Sequence, residues 1–232
     1  QDKDQALFGE VSYDITDRLT ATAGMRFFEV DNSLRGYFGF SEGYAPSANY
    51  GEAACIAQNL PPYPNAPCEV FNKTVTENDS LGKFNLSYQI NDDAMVYGTW
   101  SEGYRPGGIN RRGTLDPYVS DYLTNWELGW KTRWADGRLT FNGAVFQQEW
   151  KDFQFAILGQ NGLTEIKNAN QAQIRGIEAD ISWAATYNLR LSGGGGAATS
   201  FGQYTTTIEG VPDVTGLQTT GTGAPVLLGD GT

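Results

Sequence analysis

The chain has 232 residues, with 29 Gly, 12 Tyr, 12 Phe, 6 Trp, no His and a formal net charge of -11. This negative charge disfavours nucleic acid as a partner, because its phosphates would be repelled. The absence of histidine excludes Ser-His-Asp and Cys-His catalysis and every His-ligated metal site. We therefore predict no enzyme activity, no metal site and no cofactor.

The apolar runs are short, and the mean hydropathy is -0.41. A membrane-spanning helix needs roughly 20 consecutive apolar residues, which excludes a helical membrane protein. A transmembrane β-barrel remains compatible with this composition, because its strands alternate lipid-facing apolar residues with polar residues facing the lumen.

The two cysteines, Cys55 and Cys68, lie in a polar stretch rich in proline. A disulfide between them would close a short loop and stabilise the fold by about 3 kcal/mol. Because disulfides are typical of exported proteins, the pair indicates an oxidising compartment. Two free thiols in a cytosolic loop are the alternative. Residues 1–5 are polar and charged, and no apolar segment of a signal peptide follows them.

Hairpins recur along the chain. Apolar and polar residues alternate from Gln5 to Ile15 and again from Leu19 to Phe27, on either side of a short polar turn. This period of two predicts paired β-strands. The four predicted turns are Thr16-Asp17-Arg18, Asn91-Asp92-Asp93, Ala135-Asp136-Gly137 and one near Ala185-Thr186-Tyr187. About eight strands of roughly 10 to 13 residues result, long enough to cross a bilayer at a tilt.

The connections between the hairpins are much longer than the turns within them. They are rich in Gly, Pro and Asn and cover residues 31–77, 105–121, 154–168 and everything after 201. Outer-membrane barrels have this division into short periplasmic turns and long extracellular loops. The predicted fold class is therefore all-β, an antiparallel up-and-down transmembrane β-barrel segment. A soluble β-sandwich would explain the alternation but not the unequal loops.

Four segments carry a family resemblance. Residues 100–110, WSEGYRPGGIN, resemble the SxGYRPGG segment of TonB-dependent receptor barrels. Residues 125–131, NWELGWK, are similar to the family's ENYELGLK strand. Residues 136–139 and 150–154 resemble its DGRL…YKDFQ pair. Residues 168–179 are similar to NAGxAxIxGxE, although Asn170 stands where the family usually has Gly. The four follow one another in the family's order.

The resemblance implies a barrel of about 22 strands, of which this chain has about eight. We recognise no signal peptide, TonB box, plug or C-terminal aromatic strand, so residues 1–232 are interpreted as part of the barrel domain. The implied protein lies in the outer membrane of a Gram-negative bacterium, among outer-membrane lipid and lipopolysaccharide. It would import a large solute, a ferric siderophore in preference to cobalamin or an oligosaccharide, with energy delivered by the TonB complex through the plug.

Two alternatives remain at this point. The first is a passive porin or a small structural outer-membrane barrel. The second is a secreted soluble β-sandwich that binds carbohydrate. The four ordered segments favour the receptor over both.

Candidate site residues fall into two groups. Guanidinium groups pair with carboxylate or catecholate oxygens, and an aromatic ring stacks on a planar chelator. We therefore expect substrate contacts from Tyr104, Arg105, Arg111 and Arg112. Salt bridges within the loop, or lipopolysaccharide phosphate, are the alternative role of these arginines. From the family resemblance, we expect plug contacts from lumen-facing Glu127, Lys131, Arg133, Glu178 and Asp180.

Overall fold

The computed structural model describes residues 2–37, 55–111, 115–159, 164–203, 217–219 and 226–227. Strands dominate these ranges. Their bounds are β1 Asp2–Thr16, β2 Leu19–Gly36, β3 Phe71–Asn91, β4 Ala94–Arg105, β5 Asp121–Trp134, β6 Leu139–Lys151, β7 Gln154–Leu158, β8 Thr164–Asn168, β9 Gln171–Thr186, β10 Leu189–Gln203, β11 Leu217–Thr219 and β12 Val226–Leu227.

Neighbouring strands pair in an antiparallel manner in one large sheet. Its order is β1-β2-β3-β4-β5-β6-β9-β10-β11-β12. Strands β7 and β8 form a separate two-stranded hairpin between β6 and β9. The all-β, up-and-down antiparallel fold class is thereby confirmed. No helix in the described part of the chain is sufficiently long and apolar to span a membrane.

Each predicted hairpin is present, and the short turns differ only slightly from their predicted positions. The first two turns are at Asp17-Arg18 and Asp92-Asp93, and the third covers residues 135–138. The fourth was placed too early: Thr186 still pairs with Leu189, and the turn is at residues 187–188. Its flanking residues are mostly apolar, so the sequence has no polar cluster there to mark the end of the strand.

The predicted long loops were partly wrong, because strand pairing continues into them. Strand β2 extends to Gly36 and pairs with β3 from Phe71 onward. Residues 154–168 contain the β7–β8 hairpin. These extensions carry polar residues on both faces, so the ladder continues where the alternation that identifies strands is lost.

The two faces of the sheet differ in polarity. Strand β3 exposes Phe84, Leu86 and Tyr88, whereas the intervening Asn85 and Ser87 are half-buried. Through the strand register, one apolar row crosses the outer face of five strands as Leu86, Gly98, Leu128, Val145 and Ile177. A sheet with an exposed apolar face is expected of a barrel wall in contact with lipid.

Among the described residues, the buried apolar side chains are few and lie mostly at the long-loop end. They are Phe28, Val30, Cys55, Cys68, Phe71, Ile109, Ala144 and Ala169. Strand residues such as Phe28 and Phe71 and loop residues such as Cys68 and Ile109 contribute to this burial.

The orientation of the faces is testable on adjacent residues of β3. We expect Leu86→Arg to destabilise the protein in lipid vesicles by about 2–4 kcal/mol, the cost of a lipid-facing arginine near the midplane of a barrel. Ser87→Arg, which turns to the inner face, should cost much less. Guanidinium unfolding followed by tryptophan fluorescence measures both. Equal costs would contradict the assignment of an outer lipid-facing side.

Candidate functional site

The described parts of the segment between β4 and β5, residues 106–111 and 115–120, come together at the long-loop end. Gly108 and Tyr118 form a bridge, with each backbone N–H donating to the other's carbonyl at 2.9 Å. The base of this segment is therefore narrow, and it carries the arginines predicted to contact substrate.

Glu77 of β3 holds together the two ends of this segment, where it leaves the sheet. Its carboxylate accepts hydrogen bonds from the Gly107 N–H at 3.0 Å, the Ser120 N–H at 3.2 Å and the Ser120 hydroxyl at 2.5 Å. A Cβ at Gly107 would lie 2.5 Å from the Tyr118 carbonyl oxygen and 2.7 Å from the Glu77 carboxylate. Only glycine allows this approach. The PGG sequence is thus explained by loop packing.

Two asparagines join the same segment to the β7–β8 hairpin. Asn110 is buried, and its amide donates to the Ile166 carbonyl at 2.9 Å while its oxygen accepts from the Ile166 N–H at 2.7 Å. Asn168 pairs in the same two-way manner with the backbone of Val119, at 2.9 and 3.0 Å. Side-chain amides here replace a strand partner. We call Glu77, Asn110 and Asn168 the loop clamp.

Arg105 forms an ion pair with Asp121, whose side chain is only 2% exposed. The Arg105 Nε lies 3.1 Å from Asp121 Oδ2, and its terminal nitrogen also donates to the Gln154 carbonyl at 3.0 Å. The guanidinium carbon lies 5.6 Å from the centre of the Trp150 ring. Arg105 therefore connects β4, β5 and β7, and a buried carboxylate balances its charge.

Tyr104 stacks on Phe28 of β2, with ring centroids 3.8 Å apart and an angle of 18° between the planes. The ring of Tyr122, which pairs with Tyr104 across β4 and β5, lies 6.3 Å away. Tyr104 and Arg105 are thus both packed among neighbouring strands, a role that the sequence motif alone did not indicate.

Arg111 lies in a different setting. It lines a cleft of about 360 Å³ with Leu34, Arg35, Gly36, Tyr37 and Phe71. The cleft combines two guanidinium groups with aromatic side chains. The third predicted arginine, Arg112, falls outside the described residues. Sequence reasoning missed Arg35, because nothing local relates the end of β2 to a segment far along the chain.

Arg35 is held by the loop that contains the disulfide. Cys55 and Cys68 are bonded, with their Cα atoms 5.7 Å apart. The adjacent Glu69 is buried and accepts a hydrogen bond from the Arg35 Nε at 2.7 Å. This hydrogen bond and the charge of Glu69 raise the pKa of Arg35 above its ordinary value. The arginine remains largely exposed toward the cleft.

Four of the five residues predicted to face the lumen gather around Tyr97 on the inner face. The Tyr97 hydroxyl donates to Glu127 at 2.7 Å, and the Lys131 ammonium lies 5.9 Å from the centre of the Tyr97 ring. Lys131 also lines a cavity of about 600 Å³ together with Tyr97, Glu178 and Asp180. We call Glu127, Lys131, Glu178 and Asp180 the inner-face patch; it has three acids and one base.

Arg133 lies apart from this patch, near the short-turn end. It forms an ion pair with Asp93 at 3.2 Å and donates to the Asp92 carbonyl at 2.7 Å. These contacts join β5 to the β3–β4 turn. Among the described residues, no three His, Cys, Asp or Glu side chains are grouped to hold a metal ion.

The long apolar-faced strands and the unequal connections describe the wall of an outer-membrane barrel. Comparison with known proteins agrees. The model of the "TonB dependent receptor-like, beta-barrel" family matches residues 1–226. This chain belongs to that family. Its members are Gram-negative outer-membrane transport proteins and not enzymes, which confirms the predicted localisation and the absence of an enzymatic role.

Individual proteins are similar to this chain in sequence or in fold. The pesticin receptor of Yersinia enterocolitica is 28% identical over 182 residues, which cover 77% of this chain and 23% of that protein. The ferric yersiniabactin uptake receptor FyuA from Yersinia pestis has a similar fold, with a TM-score of 0.59 at 20% identity over 93% of this chain and 33% of that one. The alcaligin receptor FauA from Bordetella pertussis also has a similar fold, with a TM-score of 0.53 at 14% sequence identity. The similarity covers 94% of this chain and 37% of that one. The chain thus spans about a quarter of the length of the curated relative.

The loop clamp is testable through proteolysis, because residues 106–120 contain the trypsin sites Arg111 and Arg112. Glu77→Ala removes three hydrogen bonds to a charged acceptor, so we expect cleavage in this segment to accelerate roughly tenfold or more through local opening. Gly107→Ala should act in the same direction by displacing the same contacts.

The matched control is Glu29→Ala, which removes an exposed acid of the neighbouring strand β2. It should leave the cleavage rate unchanged. A Glu77→Ala protein that resists trypsin as well as the unmodified protein would contradict the clamp.

Proposed function

We propose that this chain is part of the barrel of a receptor that imports a large solute across the outer membrane, with energy from the TonB complex. The observation that supports this most strongly is the family match over nearly the whole chain. It also argues against the two alternatives, because a passive porin and a secreted carbohydrate-binding sandwich are different protein classes. The plug, through which TonB acts, would be supplied by another part of the receptor.

The proposed solute is a ferric siderophore. Several proteins of similar fold are receptors for such chelates, including those named for yersiniabactin and alcaligin. Chelates of this kind carry phenolate, catecholate or carboxylate oxygens, which pair with guanidinium groups. In a chain with a net charge of -11, the guanidinium of Arg111 provides a local attraction for an anion in this cleft, while Arg35, whose charge is balanced by Glu69, adds N–H donors.

Within the site, the contacts assign the candidate residues different roles. Arg111 and Arg35, with Tyr37 and Phe71, would contact the chelate, since their cleft is open at the long-loop end. Arg112 is proposed to act with them. Tyr104 and Arg105 would support the cleft from below, because both are engaged in packing with neighbouring strands.

Arginine substitutions test the substrate role. In the complete receptor, we expect Arg111→Ala with Arg112→Ala to weaken binding of an anionic ferric chelate by roughly tenfold or more, through loss of charge-assisted hydrogen bonds. Fluorescence quenching by ferric yersiniabactin, a ferric catecholate and a ferric hydroxamate measures the affinities. Arg138→Ala, in a short turn at the opposite end, is the control.

Unchanged affinity for all three probes, together with unchanged uptake, would remove these arginines from substrate binding. Loss of uptake with unchanged affinity would indicate a role in a later transport step and would equally contradict a contact with the chelate.

The inner-face patch is proposed to contact the plug. Three acids against one base favour a basic partner surface, and the cavity between them is polar. Arg133 would not take part, because it is bonded to the β3–β4 turn.

Neutralising the patch tests this contact. Glu178→Gln with Asp180→Asn should loosen the plug in the complete receptor and raise sensitivity to a large antibiotic such as vancomycin, since the outer membrane normally excludes it. Asp17→Asn, in the first short turn, serves as the control. Unchanged sensitivity, with unchanged plug unfolding by urea, would argue against the patch as a plug contact.

A further inference from the structure

The outer face carries a groove that the transport function does not use. It has a volume of about 610 Å³ and lies across β3, β4, β5, β6 and β9. Its lower part is apolar and is lined by Phe84, Leu86, Leu128 and Val145. Gly98 forms the floor: a Cβ built there would find its nearest neighbouring atom 4.0 Å away, so the missing side chain leaves open space.

The upper end of the groove is different in character. Trp100 and Trp126 stand opposite each other, with ring centroids 6.3 Å apart. On the same cross-strand row, Gln147 pairs with Trp126, and Arg175 pairs with Gln147. Since directly paired residues share a face, Arg175 lies on the outer side of the sheet with these tryptophans.

Arg175 is exposed, and it forms no ion pair or hydrogen bond with the described residues. The nearby carboxylate of Glu149 accepts from the Gln147 amide, at 3.4 Å. An arginine on a lipid-facing surface is costly unless it reaches the interface and meets an anion. Its placement therefore requires an explanation that the sheet itself does not supply.

The depth of Arg175 matches the membrane interface. From Arg175 to the end of β9 at Thr186 the strand covers roughly 36 Å at 3.3 Å per residue. At a tilt of about 45° this is roughly 26 Å along the barrel axis, close to the height of the apolar band. Because Arg175 is at the long-loop end, it lies at the level of the outer-leaflet headgroups.

We infer that this groove binds one phosphorylated, multiply acylated lipid of the outer leaflet, the lipid A part of lipopolysaccharide. One acyl chain would lie over Gly98 between Leu86 and Leu128, and a phosphate would pair with Arg175. Charge complementarity selects this occupant, because a guanidinium beside an apolar groove matches an anionic headgroup above acyl chains. The inference depends on the barrel wall and not on the identity of the transported solute.

The test uses the complete receptor, released from detergent and titrated with bis-phosphorylated lipid A in native mass spectrometry. We expect one copy to bind more tightly than dephosphorylated lipid A. Arg175→Gln should weaken that copy roughly tenfold and remove the preference for phosphate. Gly98→Leu should fill the groove and weaken both forms of the lipid.

Two matched controls separate the site from general effects. Arg138→Gln removes a guanidinium at the short-turn end, and Gly195→Leu adds a side chain on β10, where a Cβ would meet no atom within 4 Å. Both should bind lipid A as the unmodified receptor does.

The inference is overturned if Arg175→Gln binds lipid A unchanged, or if the unmodified receptor binds both forms of the lipid equally. Gly98→Leu is checked for folding by its heat-dependent mobility in detergent gels. If Gly98→Leu does not assemble, the binding of phosphorylated and dephosphorylated lipid A by the Arg175→Gln receptor still tests the inference. If the unmodified complete receptor binds this lipid but transports no solute, the result contradicts only the proposed function.

Discussion

The backbone hydrogen bonds of the sheet are the constraint on which the rest of this structure depends. A chain in hydrocarbon must satisfy its N–H and C=O groups internally, and strands do so only by pairing with neighbours. The register between β4 and β5 runs from Ala94 to Arg105 without a shift. This continuity fixes which side chains share a face, and it therefore decides what meets lipid, what meets the lumen and what reaches the loops.

The register also explains why successive residues of one strand lie in chemically different environments on the two faces of the sheet. Tyr97 and Glu127 meet on the inner face, where a hydrogen bond joins them. Trp100 and Trp126 meet on the outer face. A shift by one residue would exchange these environments and place the carboxylate in lipid. Alternation along the strand thus separates an apolar outer surface from a polar inner surface.

At the long-loop end, pairing is supplied by side chains. Glu77, Asn110 and Asn168 bond to backbone groups of neighbouring segments. Asp121 balances Arg105 at the level where β5 begins. These contacts explain the RPGG sequence as a packing element, whereas Arg111 and Arg35 line the cleft. Support of the loop and lining of the cleft are consequently divided between nearby residues of one segment.

The sequence by itself determined the fold class. The period of two follows from the need to place apolar residues on the lipid side of each strand, and the unequal connections are typical of an outer-membrane barrel. It also located four short turns, one of them too early. The extensions of β2 and β3 were not predictable, since their polar residues show no alternation although the ladder continues. Only the tertiary structure brought Arg35 to Arg111, Arg105 to buried Asp121, and Arg175 into one groove with Trp126. These arrangements depend on register and loop packing between segments distant in the chain.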